Sequence, residues 1–159
     1  MKNCKLTLVA LICSLLVIAT MTYKFIISGE TVAASDGRQA LLLEAGERDL
    51  VLAEMRLFLQ TIQQITQGVS ENNMANIVTA AKQVGAAAQQ AVPASLIKKL
   101  PLEFKKLGFD THSKFDQLAL DAEQFGDTAV VLEQLTGLMT NCVACHEIYR
   151  IDSLPMAIE

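Results

Sequence analysis

Cys142-Val143-Ala144-Cys145-His146 places two thiols and an imidazole at i, i+3 and i+4, and an α-helix is the backbone that projects all three from one face. One turn of such a helix can grip the edge of a flat cofactor. Cys-x-x-Cys-His is the attachment signature of a c-type haem. The thiols of Cys142 and Cys145 add across the two haem vinyl groups as thioethers, and His146 becomes the proximal ligand of the iron. One haem c per chain is the expectation. A zinc site needs a second ligand pair, yet the other cysteines, Cys4 and Cys13, lie in or beside an apolar N-terminal run. A thioredoxin-like redox pair belongs beside a βαβ pattern, and no strand signal surrounds this segment. A structural disulfide is left only for the case in which haem attachment fails.

The N-terminal run sets where that chemistry takes place. Leu6 to Tyr23 is 18 residues without a charge, preceded by Lys2 and Lys5. As a helix it spans roughly 27 Å against a bilayer core of about 30 Å, and Lys24 can snorkel if the span continues through Phe25, Ile26 and Ile27. A retained membrane anchor is the favoured reading. A cleaved signal peptide is the alternative, because Val32-Ala33-Ala34 offers small residues at a suitable place, and it would leave a soluble periplasmic domain. Both readings export the C-terminal domain, since Lys2 and Lys5 hold the N-terminus inside. In bacteria this is also the side on which c-type haem is attached. The expected location is therefore the bacterial inner membrane, with the haem domain in the periplasm.

Hydrophobic periodicity predicts helices for the remainder. Val51, Met55, Phe58, Ile62, Ile65 and Val69 alternate steps of four and three residues in a first helix that begins near Glu44 or Glu47 and stops at Gly68. A second helix comes after Glu71-Asn72-Asn73, carries Met74, Ile77, Val78, Ala81, Val84, Ala88 and Ala91, and is closed by Pro93. A long connection runs from there to Asp110. Asp110 or Thr111 then caps a third helix bearing Phe115, Leu118, Ala119, Ala122 and Phe125. The fourth carries Val131, Leu135, Leu138, Cys142 and Cys145 and ends near Arg150. The expected fold is all-α, an antiparallel four-helix bundle preceded by one N-terminal transmembrane helix. Its parts are an anchor or signal segment (1–27), a tether (28–43), the haem-carrying bundle (44–151) and a C-terminal tail (152–159).

The stretch from Cys142 to Arg150 resembles the C-terminal Cys-x-x-Cys-His-x-x-aromatic-Arg ending of the class II cytochromes c, the family of cytochrome c′ and its low-spin relatives. The resemblance covers roughly Glu44 to Arg150. It implies that a methionine of the first helix completes iron coordination in low-spin members, and Met55 is the residue that fits this place. An up-down-up-down bundle would bring Met55 and His146 to the same end. The family often has an arginine four residues before that methionine, where this chain has Val51, so Arg48 and Arg56 become the candidate contacts to the haem propionates. Tyr149 and Arg150 are candidate contacts at the haem rim. Met74 and Met139 are assigned to packing. His112 is expected at a helix start as a solvated or capping residue.

These readings favour an electron carrier over an enzyme: no paired carboxylates or nucleophile with a base accompany the motif. Redox proteins of the periplasm or membrane would be its partners, and exposed helix faces can form a homodimer. A net charge of −4 with no basic stripe argues against nucleic acid. The alternative function is that of a five-coordinate haem protein, similar to cytochrome c′, that binds or senses NO or CO.

Overall fold

The computed structural model describes residues 2–154 and is mostly helical. The side chains of Lys2, Cys4, Lys5 and Phe25, and residues 155–159 of the expected tail, lie outside the described part. Helix α1 (Lys2–Thr22) continues through wider, π-type turns over Tyr23–Ser28. The segment Leu6–Ser28 is long and apolar enough to cross a membrane, a property that a signal sequence shares. Its leucines, valines and isoleucines are exposed.

Between this segment and the helical domain the chain is folded, which corrects the expectation of a tether over 28–43. Strands β1 (Thr31–Ala33) and β2 (Gln39–Leu43) form an antiparallel hairpin, with Thr31 opposite Leu41. Ser35, Asp36 and Gly37 form its turn. The C-terminal strand β3 (Tyr149–Ser153) adds to β2 in parallel, with Gln39 opposite Tyr149 and Leu43 opposite Ser153. The fold is thus not purely α-helical, and the domain extends past residue 151 into the expected tail. Ala40, Leu41 and Leu43 are buried. Two short strands 110 residues apart in sequence give little local signal, because each is stabilised mainly by the other.

Helix α2 (Ala45–Ser70) starts with a reciprocal capping box between Glu44 and Glu47. It runs through Gly68 rather than stopping there. Helix α3 (Met74–Gln83) is capped by the Asn73 side chain, which accepts from Asn76 N at 3.1 Å. It ends earlier than its periodicity implied, and Ala86–Ala91 continues as a tighter, exposed 3₁₀ stretch. The long connection expected before Asp110 is largely helical as well. Short α4 (Ala94–Lys99) comes after Pro93, and α5 (Leu102–Phe125) after Pro101. Both prolines stand just ahead of the first helical turn, where a missing N–H costs nothing. Helix α6 (Thr128–Ile148) is capped by Asp127 and ends at Ile148 instead of Arg150.

Helices α2, α3, α5 and α6 share one apolar core around Phe58, Ile65, Ile77, Phe115, Leu118 and Leu135. Ala80 and Ala81 are buried in it, so this part of the alanine-rich face serves close packing, while Phe125 at the end of its stripe is exposed. A second core under the sheet joins Leu41, Leu43, Val51, Leu96 and Leu100. Met55 packs against both.

The hairpin is locked to α4 at Gly29, whose φ is +62° and whose successor Glu30 donates its N–H to the Lys99 carbonyl at 2.7 Å. A Cβ there would stand 2.5 Å from Pro101 N and 2.6 Å from Lys99 O, both backbone atoms. Gly29→Ala combines a left-handed conformation with a backbone clash. We expect it to lower stability by about 2 kcal/mol or more, read as a shifted midpoint in chemical denaturation. Unchanged stability would show that the Gly29–Pro101 approach is not maintained in solution.

Candidate haem site

An open, mainly apolar cleft of about 450 Å³ lies between α2, α5 and the end of α6. This is within the range of roughly 300–1,000 Å³ typical of cofactor pockets. Cys142, Cys145 and His146 line it from α6, and Met55 and Arg56 line it from α2. The i, i+3, i+4 spacing accounts for the first three. Met55 sits ten residues into α2 and His146 two residues before the end of α6, so both belong to one end of the helical layer. Phe58, Ile62, Phe104 and Leu107 supply apolar walls.

The motif-bearing turn is tied to α5 by Asn141, which is buried and lines the cleft. Its Nδ2 donates to Asp110 Oδ2 at 2.7 Å and to Thr111 Oγ at 3.2 Å, and Lys114 Nζ donates to its Oδ1 at 3.2 Å. Lys114 and Asp110 pair directly at 2.8 Å, and the Lys114 and Asn141 hydrogen bonds lower the Asp110 pKa. Burial pushes both thiols up, and the Cys142 sulfur adds to the effect on Cys145, which reaches about 11. At neutral pH both are therefore protonated thiols.

Of the other residues singled out from sequence, Arg56 reaches the cleft mouth and is exposed. Arg48 is engaged elsewhere, 3.6 Å from Asp49. Tyr149 and Arg150 belong to β3, not to the end of α6. Tyr149 packs edge-on against Phe104 with ring centroids 5.4 Å apart, so it supports a wall of the cleft from outside. Arg150 bonds Asp152 at 3.0 Å and Asp36 at 3.2 Å. Asp36 also holds Arg38 at 2.7 Å, and Arg38 donates to the His146 carbonyl at 3.3 Å. Arg38 thus fastens the hairpin to the end of α6, and Arg150 fastens it to β3. The Arg38 hydrogen bonds, with the charges of both arginines, hold the Asp36 carboxyl at about 2.

His112 departs most from expectation. It lies in the middle of α5, is 3% exposed and lines the cleft, where a solvated helix-start residue was expected. Its Nδ1 lies 2.7 Å from the Val84 carbonyl, so Nδ1 carries the proton, and Nε2 lies 3.3 Å from Glu54 Oε1. Phe58 stands between its ring and Phe115, with centroids at 5.0 and 5.6 Å. Because α5 starts at Leu102, well before Asp110 and Thr111, His112 shares a buried helix face with Phe115 and Ala119.

Burial alone would pull the His112 pKa down, but the Glu54 carboxylate and the Val84 and Gly85 carbonyls outweigh it and leave it raised above its ordinary 6.5. A raised folded-state pKa contributes stability that is fully present below about 6.5 and is lost as pH rises through the folded value. Denaturation midpoints should therefore fall across the neutral-to-alkaline range, and Glu54→Gln should flatten that slope. An equally steep slope in Glu54→Gln would rule out the pair as its source.

Among the described residues no group of three or more His, Cys, Asp or Glu side chains could hold a free metal ion. A haem needs no such cage, because its macrocycle supplies four of the iron ligands and the protein only the axial ones. No protein-family model, curated protein or solved structure matches the chain.

Proposed function

We propose that this chain is a membrane-tethered, periplasm-facing monohaem c-type cytochrome that carries electrons, its α2, α3, α5 and α6 forming the antiparallel four-helix bundle that holds the haem. The observation that carries the reading is the shared cleft: a complete Cys-x-x-Cys-His face on α6 and a methionine on α2 line one apolar space of cofactor size.

The residues present fit the group. Cys142 and Cys145 would bind it covalently, His146 would take one axial position and Met55 the other, and the exposed guanidinium of Arg56 would meet a propionate at the mouth. The bound haem supplies one-electron redox chemistry, and a thioether axial ligand raises its reduction potential. The chain's own part is to hold the ligands and keep water from the apolar side. Met55 is preferred over His112 as second ligand, because both His112 nitrogens already have partners at 2.7 and 3.3 Å. Asn141 is a positioning residue, tying the motif-bearing turn to α5 through Asp110 and Thr111. The spectrum of the purified protein tests the reading. A covalently bound, low-spin haem in both oxidation states is expected, and a protein isolated from a cytochrome-c-maturing host without haem would overturn it.

A further inference from the structure

A second cavity, of about 150 Å³, adjoins the cleft and shares Glu54, Phe104, Gly108 and His112 with it. The walls it does not share are mostly apolar, among them Val51, Val92, Leu96, Ile97 and Phe109. Polar groups reach it at Glu54, Gln89, Lys105 and His112. Three features define what it can hold. An apolar cavity of roughly this size accepts a single benzene ring. On its shared wall, His112 Nδ1 donates to the Val84 carbonyl and its Nε2 pairs with Glu54 Oε1 at 3.3 Å, so that the remaining acceptor capacity of the Glu54 carboxylate can meet a hydroxyl of a guest. Finally, the cavity adjoins the exit of the membrane segment. Lys105, which lines it, donates Nζ to the Ile26 carbonyl at 3.3 Å, and α4 and α5 pack on Tyr23–Ser28.

We propose that this cavity binds the ring of a membrane quinol, which enters from the bilayer, and that the quinol is the electron donor of the cytochrome. The proposal rests on the haem reading above and on a retained N-terminal helix. Oxidation of a quinol to its quinone breaks two O–H bonds and releases two electrons and two protons. The oxidant would be a ferric haem held by Cys142, Cys145 and His146, which would take one electron at a time and pass each to a downstream redox protein before taking the next. Both protons leave to water past the part-exposed Glu54. A lipid acyl chain, the other apolar guest available at this level, has no group to match the His112–Glu54 pair.

The test uses the full-length, haem-loaded protein in detergent, irradiated with a short-tailed azido-benzoquinone, and maps the label by mass spectrometry. Label is expected within residues 88–109 and should be displaced by an unlabelled short-chain quinone. Val92→Phe fills the cavity without reaching the haem cleft, and His112→Phe removes the hydrogen-bonding ring. Each should cut labelling roughly tenfold or more, the cost of excluding the ring or of losing a hydrogen bond to an ionisable group. Label confined to residues 6–28, labelling unaffected by both variants, or displacement by oleate but not by quinone would each overturn the proposal. Haem-loaded protein that takes no label would defeat the quinol site alone. Protein that takes the label but attaches no haem would defeat the electron-carrier reading and leave a quinone-binding cavity without its acceptor.

Discussion

Replacing Cys142 and Cys145 together with alanine should abolish covalent haem, so that the peroxidase-stained band on a denaturing gel disappears, whereas each single substitution should leave a weakened band held by one thioether. The two sulfurs project from one face of α6 into the same cleft, and Asn141 on the preceding residue fixes that face through Asp110, Thr111 and Lys114. Alanine keeps the helix and removes only the bond-forming atoms, so loss of the band reports attachment and not unfolding. The haem-free variant should also be less stable. At the dry-cavity rate of about 24 cal/mol per Å³, a 450 Å³ void would cost on the order of 11 kcal/mol, as much as the whole stability of a typical domain. The cleft is open and admits water, so the loss falls well below that figure. A double variant that still carries stained haem would refute the assignment of the motif.

The parts of this site legible in the sequence are those written at helical spacing. That Cys142, Cys145 and His146 share a face needed only the geometry of one turn, and Met55 belongs to a stripe in which Val51, Phe58 and Ile65 are buried as the four-three pattern requires, although its choice as a ligand came from the family resemblance and not from the stripe. What escaped depends on contacts distant in sequence. The β2–β3 pairing joins residues 39–43 to 149–153, and Tyr149 and Arg150, read as the end of a helix, form its far edge. His112 escaped for another reason. Asp110 and Thr111 are good capping residues, and their local preference points to a helix start that the apolar spacing beginning upstream at Leu102 overrides. In the fold Asp110 instead binds Asn141 and Lys114, and Thr111 donates to the Leu107 carbonyl at 2.7 Å within the helix. Arg48 and Arg56 could not be told apart from sequence, since both flank Met55. They diverge because Arg56 follows Met55 directly and lines the same cleft, whereas Arg48 stands seven residues before it and is taken up by its neighbour Asp49.

Substituting Met55 should change the iron without changing the attachment. Met55→Leu keeps nearly the same volume between the two cores that Met55 bridges, a type of exchange that costs less than about 1.5 kcal/mol, but it removes the sulfur. The haem should remain covalently bound, shift from a low-spin to a high-spin spectrum, bind carbon monoxide in the ferrous state and lose reduction potential, because the thioether that raised it is gone. Met55→Ala should give the same spectrum with a larger loss of stability, since it also empties packed space. The pair of variants separates ligation from packing: a role in packing alone predicts destabilisation by alanine and no spectral change with leucine. If the unsubstituted protein is already high-spin and binds carbon monoxide as readily as Met55→Leu, the methionine is no ligand. The cleft would then serve gas binding, and His112, 3% exposed and hydrogen-bonded on the same wall, would be the polar group facing the guest.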